Sequence, residues 1–256
     1  MERIIRLTLE YDGTEFCGWQ VNPGVRTVQG VLAEQLALFT GEPELRLVGA
    51  SRTDAGVHAL GQVASFVTRG TIPAHGFLRG LNSRLPADLA IVAAIEAPPG
   101  FQARHSARGK RYRYQILNQP VRSPRQARTC WHVPGRLDPD AMARAAQLLV
   151  GTHDFSCFRS VGCAAQTPVK TLHRISVEQV PGRPLLTLEV VGDAFLKYMV
   201  RNLVGTLLQV GLGRKGEDWV AAALASRDRG KAGPTAPPHG LTLVEVFYEP
   251  GAAASA

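Results

Sequence analysis

A loop of small residues holds the first side chains whose types could do chemistry. Arg52 and Asp54 lie within Gly49–Ala59, where glycine, alanine and serine surround the two charges. Small residues let the backbone turn sharply and let a bulky ligand approach, so a carboxylate here can serve as a reactive group. The residue types alone favour a simpler interpretation, a turn in which Asp54 caps a neighbouring amide.

A second stretch combines basic and aromatic side chains. Its members, all between positions 104 and 114, are Arg104, Arg108, Lys110, Arg111, Tyr112, Arg113 and Tyr114. Basic groups neutralise phosphates, and aromatic rings stack on exposed bases. Together with a formal net charge of +8, this pattern favours a nucleic-acid partner over a solvated basic face.

Lys197 and Arg201 lie four residues apart in a helical pattern. Two like charges at this spacing cost about 0.2–0.5 kcal/mol. The cost is explained if an anion, either the Asp54 carboxylate or a phosphate, lies over this face of the helix. On the residue types alone, a solvated polar stripe is the preferred interpretation.

Several functional classes find no support in the sequence. No apolar run approaches the roughly 20 residues of a membrane helix, and no phosphate-binding loop ending in Gly-Lys-Ser/Thr occurs. The four cysteines and seven histidines show no zinc spacing, so neither a metal nor an organic cofactor is expected. Gly211–Gly216 fits a dinucleotide fingerprint, but it follows a helical pattern, where glycines that end a helix are the better interpretation.

The elements that must position these residues follow from periodicity. Alternation from Ile5 to Tyr11 predicts a strand, and Thr27 can cap a helix that continues to Phe39. Further predicted elements are strands over Leu45–Val48 and Gln62–Thr68, a helix over Phe77–Asn82 and a strand over Leu89–Ile95. The first half therefore has the order β-α-β-β-α-β.

The second half repeats this order without repeating the sequence. Asp138 and Pro139 start a helix that runs to about Val150, because aspartate is a good cap and proline suits the first helical position. The other predicted elements are strands over Arg111–Leu117, Thr171–Val180 and Leu185–Val191, a long helix from about Phe195, a short helix over Trp219–Leu224 and a final strand over Leu241–Tyr248.

These orders predict an α+β fold of two ferredoxin-like halves, which form an extended, mainly antiparallel sheet with helices. We expect an N-terminal half over residues 1–104, a C-terminal half over residues 105–250, an active-site cleft between them and a frayed tail over residues 251–256. Such folds host many functions, so the fold alone does not decide the activity.

The block Arg52–Ala59 resembles the signature loop of the tRNA pseudouridine synthase A family, and the resemblance extends over nearly the whole chain. Further matching segments are Tyr11–Thr14, Gln29–Gly30, Lys110–Tyr114, His153–Phe155 with Phe158, and Phe195 with Met199–Asn202. The resemblance implies an isomerase that converts uridine to pseudouridine at positions 38, 39 and 40 in the anticodon stem-loop of tRNAs. It also implies catalysis without metal or cofactor.

The resemblance assigns roles to individual residues. Asp54 matches the nucleophile, which forms a covalent intermediate, and Arg201 matches the partner of that carboxylate. Tyr112 matches the aromatic residue that packs on the target base, and Arg52 matches the residue that engages the displaced base or the nearby backbone. The residues that resemble the apolar wall of the pocket are Leu241 and Leu243. Ordinary packing is the alternative for Tyr112 and for both leucines.

The expected partners are tRNA and a second copy of the chain. The residues predicted to bind tRNA are Arg104, Arg108, Lys110, Arg111 and Lys197. The resemblance implies a homodimer, and basic residues in both halves agree with a long RNA that reaches two subunits; a monomer is the alternative. Met1-Glu2-Arg3 leads straight into a strand pattern without a secretory segment, which predicts a cytoplasmic protein.

Two other functional classes stay open at this point. A basic and aromatic first strand on a ferredoxin-like unit also fits a non-catalytic RNA-binding module. A base-flipping hydrolase that releases uracil instead of rejoining it is the third possibility.

Overall fold

The computed structural model describes residues 2–249 and 251–255, and it divides into two compact units. The first unit contains the chain up to Ala107 together with Leu243–Tyr248, and the second contains Arg108–Thr242 together with the residues from Glu249. Each unit has a mainly antiparallel set of strands with helices packed against it, so the predicted α+β class is confirmed. Within the described residues, no helix is both long and apolar enough to cross a membrane.

The first unit has the predicted β-α-β-β-α-β order. Its elements are β1 (Arg3–Tyr11), α1 (Val28–Thr40), β2 (Val48–Gly49), β3 (His58–Thr68), α2 (Ala74–Asn82) and β4 (Leu89–Ala97). The strand β1 lies between β4 and β3, antiparallel to both, and β2 pairs with β3.

The core of the first unit follows from the alternation in β1. Ile5, Leu7 and Leu9 are fully buried, because successive side chains of a strand point to opposite faces. The helix α1 begins where the Thr27 side chain accepts a hydrogen bond from Gly30 N, and it ends at Gly41, whose φ of 72° is left-handed. This confirms the predicted cap.

The second unit contains the remaining helices. Its elements are β5 (Gly109–Leu117), β6 (Trp131–His132), α3 (Pro139–Gln147), β7 (Gly151–Asp154), β8 (Val169–Gln179), β9 (Leu185–Gly192), α4 (Met199–Gly211) and α5 (Asp218–Ser226). The antiparallel order is β5-β9-β8-β7, with β6 parallel to β5. The last strand, β10 (Leu241–Phe247), contributes its residues from Leu243 onward to the first unit, where it lies beside β3.

Several element boundaries differ from the sequence-based assignment, among them the starts of β3 at His58 instead of Gln62 and of α2 at Ala74 instead of Phe77. The strand predicted over Leu45–Val48 is wrong in extent, because Leu45 N donates to Glu42 O in a turn and pairing begins only at Val48. The helix predicted to reach Val150 ends at Gln147, and Gly151 begins β7 with a φ of 109°. The helix predicted from Phe195 begins at Met199.

The C-terminal residues have local structure where the sequence predicts fraying. Ala254 N and Ser255 N both donate to Gly251 O, and Ala253 is buried. Ala256, the last residue of the predicted tail, lies outside the described residues.

Candidate active site

The loop that carries Asp54 connects β2 to β3 in the first unit. Ser51 and Thr53 are buried, Arg52 is exposed and Asp54 is half-buried. A hydrogen bond of 3.1 Å from Val57 N to Asp54 O closes a turn directly after the carboxylate. The turn that the residue types predict therefore exists, and the Asp54 side chain keeps partial access to solvent within it.

A neighbouring segment, residues 11–19, holds this loop at four points. The hydrogen bonds are Tyr11 Oη with Thr53 Oγ1 (2.8 Å), Gly13 N to His58 Nδ1 (3.1 Å), Gly56 N to Phe16 O (3.3 Å) and Trp19 N to Thr53 O (3.0 Å). They flank Asp54 on both sides in sequence. The backbone around the carboxylate is thus fixed before any ligand arrives, which is the condition for positioned catalysis.

Two glycines allow the two segments to approach this closely. A Cβ on Gly13 would overlap the carbonyl oxygen of Val57, and one on Gly18 would lie 2.8 Å from Thr53 O. Gly18 also has a φ of +86°, which an L side chain rarely adopts. The glycines at both positions are therefore required by contact with the Asp54 loop.

A buried amide supports the start of the loop. Gln62 in β3 is fully buried; its Nε2 donates to Ser51 O (2.7 Å), and its Oε1 accepts from Ser51 N (3.2 Å). Two bonds to one residue fix the chain three positions before Asp54. Gln62 is not among the residues predicted for the site, although a polar residue within a run of buried strand residues is a usable signal.

An ion pair braces the segment that holds the loop. Arg26 Nη1 and Nη2 lie 2.7 and 2.8 Å from the two carboxylate oxygens of Asp88, and the guanidinium lies 4.0 Å from the ring centroid of Phe16. The hydrogen bond to Asp88 raises the pKa of Arg26. Because Phe16 O accepts from Gly56 N, the pair helps to hold the Asp54 loop.

Tyr112 lies in β5 of the second unit and is buried, with 6% of its surface exposed. Its ring packs edge-to-face on Phe195, with the centroids 5.0 Å apart. The packing alternative for Tyr112 is therefore present in the structure, and a role in base stacking stays a prediction.

Arg201 lies in the first turn of α4, and Lys197 lies just before the helix. Arg201 Nε donates to Ala236 O at 2.8 Å, and its guanidinium is 4.5 Å from the ring centroid of Tyr198. Lys197 is exposed, and its Nζ donates to Val161 O at 3.1 Å. Lys197 precedes the helix, so the two cations are not a pair within one regular helix as predicted.

The charge of Arg201 also acts on the pKa of the buried Tyr114 phenol. Burial raises the pKa of Tyr114, and the positive charge of Arg201 opposes that shift. The phenol stays protonated at neutral pH and donates to Pro237 O at 2.8 Å. This bond anchors the segment that contains Ala236, the hydrogen-bond partner of Arg201.

The remaining predicted site residues divide by exposure. Leu241 and Leu243 in β10 are buried, which suits either an apolar wall or ordinary packing. Arg104 and Arg108 are exposed, while Lys110 and Arg111 are half-buried. Across residues 2–249 and 251–255, no three His, Cys, Asp or Glu side chains form a group that could hold a metal ion.

Comparison with known proteins decides the family. A family profile described as tRNA pseudouridine synthase matches residues 8–106 and 145–249. A protein of Myxococcus xanthus named tRNA pseudouridine synthase A is 48% identical over 247 residues, which cover 96% of this chain and 92% of that protein. Another of that name, from Pelobacter propionicus, is 49% identical over 247 residues, covering 96% of this chain and all of that protein.

The chain belongs to the tRNA pseudouridine synthase family. The predicted family resemblance is thereby confirmed. A solved Cbf5-Nop10-Gar1 complex contains a chain that is 11% identical, with a TM-score of 0.34 over 79% of this chain and 54% of that chain. That likeness is too low to carry an argument.

The two segments matched by the family profile contain some of the predicted site residues and not others. Arg52 and Asp54 lie in the first matched segment, and Arg201 lies in the second, whereas Tyr112 falls between them. Arg52 and Asp54 belong to the first unit, and Tyr112 and Arg201 belong to the second. The structure brings Asp54 together with the residues that fix its loop, and the pairing of Asp54 with Arg201 stays a prediction.

Proposed function

We propose that this synthase isomerises uridine to pseudouridine in tRNA. The observation that carries the proposal is the family match over nearly the whole chain. In the isomerisation the bond from ribose C1′ to uracil N1 breaks, the uracil turns, and C1′ bonds to C5. A hydrogen leaves C5 and N1 gains one, so the product has the composition of the substrate. The family resemblance points to positions 38, 39 and 40 of the tRNA.

Asp54 is the nucleophile in this proposal. Its carboxylate forms a covalent bond with the uridine, either at the base or at the sugar. A carboxylate on C1′ is displaced as C5 bonds to C1′, whereas a carboxylate on the base is eliminated after that bond has formed. The support from geometry is that the carboxylate is half-buried and that its backbone neighbours are fixed by the 11–19 segment. The proposal assigns Arg201 as the partner of this carboxylate, since a positive charge close to a carboxylate favours its charged form.

Product analysis separates this proposal from its alternatives. Unmodified tRNA is incubated with the protein, and the nucleosides and free bases are identified by mass and retention, with positions mapped by chemical modification. Pseudouridine at positions 38–40 supports the proposal. Unchanged uridine would indicate an RNA-binding module, and free uracil with an abasic ribose would indicate a hydrolase.

We expect Tyr112→Phe to keep more turnover than Tyr112→Ala. A ring stacked on the target base contributes about 1–3 kcal/mol, and phenylalanine retains that face. Single-turnover rates on tRNA measure the difference. Equal losses in the two variants would assign the role to the hydroxyl instead. Phe195→Leu is the control, because it disturbs the same packing while leaving the Tyr112 ring in place.

Binding to tRNA should weaken steeply as salt is raised. If about five phosphates are neutralised, the dissociation constant rises roughly 100- to 500-fold between 50 and 200 mM salt. Changing the exposed Arg104 and Arg108 together to Ala should lower the slope of log K against log salt by about two. Arg144→Ala should leave it unchanged, since Arg144 is already paired with Glu217 at 2.8 Å. A slope near zero for the wild type would contradict a phosphate-binding surface.

We further propose that the synthase is a cytoplasmic homodimer. A long RNA that reaches two subunits would use basic residues in both halves of the chain, and closed symmetric dimers are the commonest assemblies. Light scattering at micromolar concentration should give about twice the chain mass of 27.6 kDa. A monomer with full activity on tRNA would rule out two-subunit binding.

A further inference from the structure

The residue before α4 has a strained backbone. Tyr198 has a φ of 63°, and within the described residues only Arg227 is another non-glycine residue with positive φ. The left-handed conformation costs an L side chain roughly 1–2 kcal/mol. Such strain persists only where the surroundings impose it, and it often accompanies function.

The segment 160–163 imposes this conformation through the preceding residue. Lys197 N donates to Cys163 Sγ (3.3 Å), Lys197 O accepts from Ser160 N (3.2 Å), and Lys197 Nζ donates to Val161 O (3.1 Å). On the other side, Tyr198 O accepts from Asn202 N at 2.9 Å, which starts the helix. Tyr198 therefore cannot relax without breaking contacts on one of its two sides.

The strained backbone places the phenol ring against the cations. The guanidinium carbon of Arg201 lies 4.5 Å from the ring centroid, and Lys197 Nζ lies 5.3 Å from it. Both distances are within the range of a cation–π interaction. In a regular helix, residues three apart lie on one face. Tyr198 and Arg201 have this spacing, but Tyr198 lies before the first residue of α4.

Arg201 is held along a second direction by the backbone of Ala236. Arg201 Nε donates to Ala236 O (2.8 Å), and Ala236 N donates to Arg201 O (3.1 Å). Residues 233–235 are themselves fixed, because Gly233 N donates to Thr206 Oγ1 and Thr235 Oγ1 donates to Asn202 Oδ1. The ring restrains one face of the guanidinium, and the Nε bond restrains its edge.

We propose that Tyr198 is a positioning residue that orients the Arg201 guanidinium through this stack. The inference rests on the proposed role of Arg201 as the partner of the nucleophile. A free arginine side chain samples many rotamers, and holding it in one orientation in advance leaves less entropy to be lost when the charge pair forms. The orientation of the Arg201 guanidinium is restrained in two ways. The hydrogen bonds of Lys197 and the left-handed φ of Tyr198 place the ring against it, and the hydrogen bond from Nε to Ala236 O holds its edge.

Steady-state kinetics on tRNA test the proposal with two substitutions of Tyr198. Asn removes the ring but tolerates the left-handed backbone, so Tyr198→Asn should lower kcat by about 2- to 30-fold, the range that corresponds to a cation–π interaction, with KM little changed. Tyr198→Phe keeps the ring and should stay within about twofold of the wild type. Equal losses in the two variants, or none in Tyr198→Asn, would overturn the proposal.

A double-mutant cycle distinguishes positioning from a merely structural role. In an Arg201→Met background, Tyr198→Asn should have no further effect on kcat, because the residue it positions is gone. Additive losses would show that Tyr198 acts on something other than Arg201. Trp219→Leu is the matched control and should keep the wild-type kcat. Trp219 lies in α5, and its ring makes a similar contact with Lys215 Nζ, 5.5 Å from the centroid.

A measurement without substrate separates this inference from the proposed function. The NMR order parameter of the Arg201 Nε–H group should be high in the wild type and in Tyr198→Phe, and clearly lower in Tyr198→Asn. An equally rigid group in Tyr198→Asn would refute the positioning role even in an active enzyme. A wild type that forms no pseudouridine would refute the proposed function, whatever the order parameter shows.

Discussion

Replacing Asp54 with Asn should abolish pseudouridine formation while tRNA binding stays within a few-fold of the wild type. The amide is nearly the same size as the carboxylate but is a far weaker nucleophile. Removing a nucleophile typically lowers kcat by a factor on the order of 10⁴–10⁶. Single-turnover rates measure the loss, and filter binding measures the affinity.

The control for this experiment is Asp140→Asn. Asp140 is an exposed carboxylate in the first turn of α3, so the same chemical change there should leave the rate unchanged. The Asp54→Asn protein must be shown by mass to contain no deamidated fraction. Retained turnover in such a preparation would remove Asp54 from the mechanism.

Gly13→Ala should lower kcat/KM by roughly 100-fold or more. The added Cβ would overlap Val57 O, so the 11–19 segment and the Asp54 loop must separate. A displacement of about 1 Å at a catalytic group can cost a factor of roughly 100. The loss is measured as kcat/KM on tRNA for protein whose circular dichroism shows a native fold.

Gly216→Ala is the control for the glycine substitution. A Cβ at Gly216 meets no atom within 4 Å, so activity and thermal stability should match the wild type. A folded Gly13→Ala protein with full activity would show that the contact between the two segments does not position Asp54.

Local signals in the sequence predict much of the fold. The strand β1 follows from alternation, and α1 follows from the Thr27 cap, which the structure contains. Asp138 and Pro139 mark the start of α3 in the same way, since the Asp138 side chain accepts from Ala141 N. These features depend on neighbours within a few residues, so the sequence pattern is sufficient.

Elements that depend on contacts with distant residues cannot be predicted from local sequence patterns. The helix α4 begins at Met199 because Ser160 and Cys163 form hydrogen bonds with the backbone of Lys197. The residue types near Phe195 do not predict these hydrogen bonds. The strands β6 and β7 have two and four residues, which is too short for a period of two to be recognised. Their existence depends on the strands beside them.

The candidate site shows the same division. The residue types around Asp54 predict a turn, and only the family resemblance predicts that this turn carries the nucleophile. The partners of its supporting residues could not be predicted, because Gln62 lies 11 positions from Ser51 and Arg26 lies 62 positions from Asp88. Only the fold brings residues with these sequence separations together, so residue types alone could not predict the contacts that support the loop.

Tritium release from tRNA labelled at C5 of uridine tests the central claim most directly. Isomerisation joins C5 to C1′, so each conversion must release the C5 hydrogen to water, whereas hydrolysis would keep it on free uracil. We predict one tritium released for each pseudouridine formed by the wild type, no free uracil, and no release by Asp54→Asn. Release of labelled uracil, or no release of tritium by the wild type, would contradict the account.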